Sequence, residues 1–404
     1  MPRVLHLSHS DIRSDGRIRK QLGSLSRGLP HVEFHACSPA RGADAVKDAP
    51  LDRVKMIGLR PVSRGIRFLG RYVRYGAMAS EMLVRMIVEG LRLRPSVVHC
   101  HDFAALPAGF AISALCRSVL IYDAHELESH RNYQSRRAGR LVRALERWCW
   151  RRVSLLVSVS PSILEWYAEN LGPKRSVLVL NSPATAPASI GDALRTRRSF
   201  GESGYFHRRF GISGGTPVFI FVGYFVRGRS IERLLEVFGR SGLCSHVVFM
   251  GDRDRLGVAE YSERFGNIHV HPAVPNEQVT LFAREADCGL CLFEDHCLSL
   301  RYSLPNKLFE YAFAGIPVLA SRLPEISRVV ELYGLGVCCD VDAVSIEAAV
   351  RGIERDGLPR PEADLAELSW DTQAKRLLDA YSELLSDRTA RHPDLVGPVS
   401  RWRP

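Results

Sequence analysis

Lys307 and Glu310 stand three residues apart in Pro305-Asn-Lys-Leu-Phe-Glu310, and on a helix that spacing puts an ammonium and a carboxylate on one face. Beside a helix start, a lysine and the neighbouring Asn306 suit a phosphate, and a carboxylate can accept from both hydroxyls of a ribose. A second anion-binding pattern is Gly223-Tyr-Phe-Val-Arg227-Gly-Arg229-Ser230, where an apolar run, a glycine-bearing loop and a helix start follow one another. Unpaired amides and the positive dipole end converge at such a start, and two arginines there suit a diphosphate. Three further polar groups follow apolar runs: Gly16-Arg17, His101-Asp102, and Asp123-Ala-His125-Glu126. Each residue also has an ordinary reading. Lys307 and Glu310 can be a solvated ion pair, the arginines can face water, Glu126 can sit at a helix start, and lone histidines are usually satisfied structural groups.

The elements that would position these residues are legible. Gly289-Leu-Cys-Leu-Phe293 has the length and composition of a buried strand, and Leu308, Phe309, Ala312 and Phe313 follow at helical spacing. Gly315 supplies a helix stop and Pro317-Val-Leu-Ala320 the next strand, which makes a βαβ unit of a parallel sheet. In such sheets ligands bind beyond the carboxyl ends of the strands. Val4–Leu7, Ser96–Cys100, Val119–Tyr122 and Val218–Val222 read as strands of the same kind; the last three end at polar groups named above, and the loop Ser8–Asp15 leads from the first to Gly16.

The fold class expected is therefore α/β, with two doubly wound, Rossmann-like domains facing across a cleft. A chain of 404 residues suits two cores. The expected division is a first domain over 1–182, a Pro-, Gly- and Ser-rich linker over 183–215, and a second domain over 216–369. A terminal helix over 370–386 then crosses back to the first domain, and 387–404 form a disordered tail.

The net charge of +11 is almost all arginine and is unevenly placed. Between Arg60 and Arg74, and again between Arg131 and Arg152, arginines interleave with aromatic and aliphatic residues. A solvated helix face is one reading and an anionic lipid surface the other. Nucleic acid is not expected, because no helix-turn-helix, RNA-recognition or zinc-finger pattern accompanies the charge. No export leader or transmembrane span is read, so a cytoplasmic location, peripheral at the inner face of a membrane, is expected. The ten cysteines are expected to be free buried thiols, and Cys288-x-x-Cys291 with His296 and Cys297 is a weak zinc pattern inside an apolar run.

Pro-x-Lys-x-x-Glu, then Ala-Gly-x-Pro-Val-x-Ala-Ser, then Leu-Pro-Glu-Ile resembles the donor-nucleotide motif of family-four retaining glycosyltransferases, glycosyl transferases group 1, of GT-B fold. That family usually carries a first glutamate eight positions before the second, where this chain has Tyr302. Tyr302-Ser-Leu-Pro-Asn-Lys-Leu-Phe-Glu310 is similar to a subgroup with Tyr-Ser-x-Pro-Asn-Lys-x-x-Glu. The resemblance implies transfer of a sugar from a nucleotide diphosphate sugar to a hydroxyl of a sugar or lipid-linked acceptor, with retention and without a metal or other cofactor, in polysaccharide or glycolipid assembly. It implies that Arg229 and Lys307 neutralise the diphosphate and that Glu310 anchors ribose. His125 would contact the donor sugar, and Gly223, Arg227 and Asn306 would complete the donor site, with Arg227 replacing the cation that relatives carry at Tyr224. Gly16, Arg17, His101, Asp102 and Glu126 would line the acceptor side. Tyr302 and Tyr224 also motivate a rival, a catalytically silent nucleotide-sugar-binding subunit.

Overall fold

The computed structural model describes residues 1–40, 51–65, 70–132, 134–184, 199, 201–240, 242–358 and 364–386. The described residues divide into two compact units: 1–179 with 373–386, and 180–372.

The first unit is built on seven parallel strands: β1 (Arg3–Ser8), β2 (Glu33–Pro39), β3 (Val54–Leu59), β4 (Val97–His101), β5 (Val119–Ala124), β6 (Val153–Ser158) and β7 (Ser176–Leu178). Their order is β3-β2-β1-β4-β5-β6-β7, so the winding reverses between β1 and β4. Both faces are covered by helices, which is why Val4, Leu5, Val98, Leu120 and Ile121 form near-continuous apolar runs with no exposed alternate positions. The helix Trp370–Ser386 belongs to this unit from Gln373 on, burying Leu377, Tyr381 and Leu384. Gly28 lets it approach: a Cβ there would meet Leu378 at 2.4 Å.

The second unit has six parallel strands, β8 (Val218–Val222), β9 (His246–Gly251), β10 (Ile268–Pro272), β11 (Cys288–Cys291), β12 (Val318–Ser321) and β13 (Gly336–Cys339). The order is β10-β9-β8-β11-β12-β13, with its reversal between β8 and β11. Those two strands pair only at Cys288–Phe219 and Gly289–Ile220, and beyond that point no ladder joins them. Tyr311, from the helix Asn306–Ala314, closes the gap. Its hydroxyl accepts from Val222 N at 3.0 Å and donates to Ile220 O at 3.2 Å.

Several boundaries differ from the sequence expectation. A helix over Arg71–Leu93 takes up the end of the arginine-aromatic stretch, whereas residues 66–69 of that stretch lie outside the described residues. Strand β5 continues through Asp123, which the sequence marks as a strand end because of its charge; interior partners for that charge let the strand run on. Part of the expected linker is folded. Tyr205–Phe210 is a helix that buries Phe206 fully, and Gly201 N donates to buried Asp287 at 2.9 Å. Here too a buried carboxylate supplies what the local sequence does not show. The expected tail over 387–404 lies outside the described residues.

The contact between Tyr311 and β11 gives a direct test of how the second unit is assembled. A Cβ on Gly289 would sit 2.3 Å from the Tyr311 ring. Gly289→Ala is expected to lower unfolding stability by roughly 1–3 kcal/mol through overpacking, measured by urea denaturation.

Candidate functional site

In the first unit the polar groups converge at the carboxyl ends of β1, β4 and β5, beside the point where the winding reverses. Asp123 is wholly buried, and its Oδ1 accepts from Arg17 Nη2 at 3.0 Å while Oδ2 accepts from Gln21 Nε2 at 2.8 Å. Arg17 also donates to Val179 O at 2.9 Å. Asp15 caps the helix Gly16–Gly28, accepting from Arg17 N and Ile18 N, and so turns the Arg17 side chain inward. A guanidinium expected on the acceptor-side surface is therefore an internal counter-ion; Gly16 is simply the first residue of the helix that carries it.

His125 lies between two carboxylates. Its Nδ1 is 3.2 Å from Asp102 Oδ2 and its Nε2 is 3.1 Å from Asp123 Oδ2, the second contact bent rather than linear. Burial opposes a charge on this ring, yet Asp102 and then Asp123 outweigh it and raise its pKa to about 10. Burial also works against the charge on Asp123, but Arg17 and His125 hold its carboxyl well below the usual range. Two carboxylates, one guanidinium and one imidazolium thus cancel. Asp102 adopts φ +63°, which brings its carboxylate back over His125 N. His101, expected on the acceptor side, is fully buried against Asp123 and His6. Glu126 is half exposed and pairs with Arg131 at 3.0 Å.

Ligand atoms of His101, Asp123 and His125 fall within 4.8 Å of one another, as do those of His6, His99 and His101. Such a donor set could hold a divalent cation, but the neighbouring Arg17 and the proton on His125 already balance the carboxylates. The Cys288, Cys291, His296, Cys297 pattern forms no such group among the described residues: burial pushes the Cys291 thiol up to about 12, and His296 pairs with Glu294.

The second unit has the opposite electrostatic character. Lys307 is 5% exposed, and its Nζ lies 3.5 Å from the centre of the Phe221 ring with no hydrogen-bond partner among the described residues. Burial, then the charge of Arg229, lowers its pKa to about 7, against weaker pulls from Cys291 and Glu310. The ordinary Lys307–Glu310 ion pair is not made at hydrogen-bond distance. Asn306 is exposed at the first turn of the same helix, whose N-cap residue, Pro305, offers no side-chain acceptor to the open amides.

The loop after β8 meets the loop after β9. Gly223 N donates to Met250 O at 3.0 Å and Phe225 N to Asp252 O at 3.1 Å. Gly223 needs its freedom twice, for φ +129° and because a Cβ would stand 2.9 Å from Arg229 Nη1. Ser230, at φ +54°, ends the loop with its Oγ buried and without a hydrogen-bond partner among the described residues. Arg227 does not join this group: its side chain is 74% exposed and lies 3.9 Å from Glu232. The guanidinium that accompanies Tyr224 comes instead from Arg253, 4.1 Å over its ring, with Arg229 at 5.9 Å. Sequence reading missed Arg253 because it follows a different strand; only the pairing of β8 with β9 brings it there.

Residues 20–183 match the family model described as a glycosyl transferase 4-like domain. No curated protein sequence matches the chain. Among solved structures it is similar to a sucrose-phosphate synthase from Thermosynechococcus elongatus, with a TM-score of 0.71, 13% identity, and coverage of 96% of this chain and 100% of the other. An α,α-trehalose-phosphate synthase (UDP-forming) from Burkholderia vietnamiensis gives 0.64 at 12% identity, over 95% and 98%. Anabaena HepE in complex with UDP and glucose gives 0.62 at 13% identity, over 96% and 100%. The two parallel sheets and their windings are those of the GT-B fold. The glycosyl transferase 4-like match lies within the first unit, and the likeness to these structures extends the GT-B fold over both units.

The two charged groups predict opposite pH behaviour. The folded pKa of His125 lies above its unfolded value of 6.5, so its stabilising contribution is complete below that pH and is lost as pH rises toward about 10. The folded pKa of Lys307 lies below its unfolded 10.5, so the buried charge destabilises most below about 7 and not at all above 10.5. Urea unfolding across this range should show Lys307→Met more stable than the parent chain in mild acid, with the gain shrinking as pH rises. His125→Gln should show a loss that shrinks in the same direction.

Proposed function

We propose that the second unit binds a nucleoside diphosphate sugar and that the chain transfers the sugar, with retention of configuration, to a hydroxyl acceptor. The observation that carries this reading is the buried, unpartnered Lys307 ammonium beside Arg229. A buried cation without a counter-ion is costly, and a diphosphate would relieve it. Ser230 Oγ and the open amides at the start of the Asn306–Ala314 helix are further donors, and Arg253 completes the cationic rim beside Tyr224. Glu310, one turn along the helix from Lys307, would accept from the ribose hydroxyls. Several neighbours are structures with UDP or UDP-glucose, which supports a uridine diphosphate donor.

In the reaction the bond between the anomeric carbon and the phosphate oxygen breaks, and its electron pair leaves with the diphosphate. The acceptor oxygen forms the new bond on the same face and gives its proton to the departing phosphate. The charge that develops is on the diphosphate, so Lys307, Arg229 and Arg253 act where the barrier is highest, and no metal or other cofactor is needed in this scheme. His125 serves through its positive charge, since both ring nitrogens already face carboxylates.

Uridine, guanosine and adenosine diphosphates should be compared by thermal shift, with uridine diphosphate expected to give the largest rise. Lys307→Met should lose that rise while keeping a folded chain, and Arg229→Ala should slow transfer roughly 100-fold. Binding without transfer or donor hydrolysis by the purified chain would favour a silent binding subunit, and no nucleotide-induced shift would remove the proposal.

The acceptor is proposed to be presented at an anionic membrane, the setting of polysaccharide and glycolipid assembly at an inner membrane face. On the helix Arg136–Trp150, Leu141, Leu145 and Trp148 are exposed on one stripe flanked by the exposed Arg137, Arg140 and Arg147. Their opposite face is anchored by Glu146, which accepts from Tyr122 and Tyr167 at 2.9 and 2.6 Å. No helix among the described residues is long and apolar enough to cross a membrane. Co-sedimentation with phosphatidylglycerol vesicles is expected at low salt and should weaken at high salt and in Leu141→Glu/Trp148→Glu; no binding at low salt would count against it.

A further inference from the structure

Behind Asp123 the first unit buries four more titratable side chains that the transfer scheme does not use. His6 on β1, His99 and His101 on β4, and Tyr381 on the terminal helix are all fully buried. They are in contact in sequence. His101 Nδ1 is 3.3 Å from Asp123 Oδ2, and His101 Nε2 is 2.9 Å from His6 Nδ1. His6 Nε2 is 3.3 Å from the Tyr381 hydroxyl, which is 2.6 Å from His99 Nδ1. His99 Nε2 then lies 3.7 Å from the same Asp123 Oδ2. The contacts close on themselves, and the rings stack, His99 on His101 at 4.4 Å between centroids and His6 on His101 at 5.2 Å.

We propose that Asp123, His101, His6, Tyr381 and His99 form a closed ring of polar contacts through which the terminal helix positions Asp123 and, through it, His125. Hydrogen counting sets the direction. Three neutral imidazoles and one phenol bring four hydrogens to five contacts, so one contact must lack a hydrogen. The longest, His99 Nε2 to Asp123 at 3.7 Å, is the one that can tolerate facing lone pairs. A lone pair on His101 Nδ1 facing the carboxylate at 3.3 Å would be repulsive, so the hydrogen sits there and faces Asp123 across a bent contact. The order follows around the ring: His6 Nδ1 donates to His101 Nε2, the Tyr381 hydroxyl donates to His6 Nε2, and His99 Nδ1 donates to the Tyr381 oxygen. All three histidines then carry their hydrogen on Nδ1, and burial and mutual repulsion keep them neutral. The charged histidine is His125, on the other side of Asp123.

The consequence is that docking of Tyr381 and the geometry of His125 are coupled through Asp123. Tyr381 is a positioning residue: it touches no substrate, and its removal would act by changing which hydrogen faces Asp123. Without the phenol oxygen, His99 Nδ1 has no acceptor, and its hydrogen moves to Nε2, facing Asp123.

The direct readout is nitrogen NMR of the full chain labelled with ¹⁵N-histidine, with signals assigned by single-residue variants. At neutral pH, His6, His99 and His101 are expected as neutral Nδ1–H tautomers and His125 as the doubly protonated form. Tyr381→Phe should move His99 to the Nε2–H tautomer and shift His125, a change that loss of packing alone would not produce. The functional arm rests on the transfer reading above: Tyr381→Phe should lower kcat several-fold while leaving the uridine diphosphate thermal shift unchanged, because that site belongs to the other unit. Tautomers that are the same in the variant as in the parent, or zinc ions that displace these signals by binding the ring nitrogens, would overturn the ring. An inactive parent chain with the expected tautomers would instead remove the transfer reading and leave the ring standing.

Discussion

A carboxylate with no access to water must be matched where it lies, and Asp123 imposes that condition on the whole first unit. Its oxygens accept from Arg17 on the first helix and Gln21 one turn later, and they face His101 from β4 and His125 after β5. Three segments far apart in the chain are therefore held to one point at the carboxyl ends of the strands. Through His101 the constraint reaches His6 and the terminal helix, which is how residues beyond Gln373 come to belong with the first unit.

In the second unit the buried Lys307 ammonium has no hydrogen-bond partner among the described residues. Lys307 and Arg229 stand close enough to repel, and the Lys307 ammonium rests on an aromatic face instead of an anion. The same architecture thus provides two different environments. In the first, β1 and β4 stay paired over their length and the charges of Asp102, Asp123, Arg17 and His125 balance one another. In the second, β8 and β11 part after two residue pairs, and Tyr311, seated over Gly289, holds the gap with a single hydroxyl. The gap lies at the reversal of a doubly wound sheet, and the buried Lys307 Nζ and Ser230 Oγ are without hydrogen-bond partners among the described residues.

Much of this was legible in advance. The strand–loop–helix periods, the glycine stop at Gly315 and the placement of polar pairs after apolar runs follow from local rules, and the two sheets have the strands those rules imply. Lys307 and Arg229 were legible as cations beside helix starts, and Gly223 as the glycine after a strand. Arg227 was misjudged for want of a direction: sequence shows an arginine in a loop but not that its side chain runs to Glu232. Arg17 and His101 were assigned to a surface because charged and polar residues near strand ends are usually wet, and only Asp123 explains their burial.

By itself the sequence determined the α/β class, the two-unit plan and the chemical types at the strand ends, because helix and strand periods, caps and glycine stops depend on residues a few positions apart. Tertiary structure alone decided which charges are balanced and which are left open. Arg253 reaches Tyr224 through the pairing of two strands, His125 becomes an imidazolium through two carboxylates from different strands, and Tyr381 reaches His6 across most of the chain length. Ionisation and hydrogen position depend on distances in space and on exclusion of water, and neither quantity is carried by neighbours in sequence.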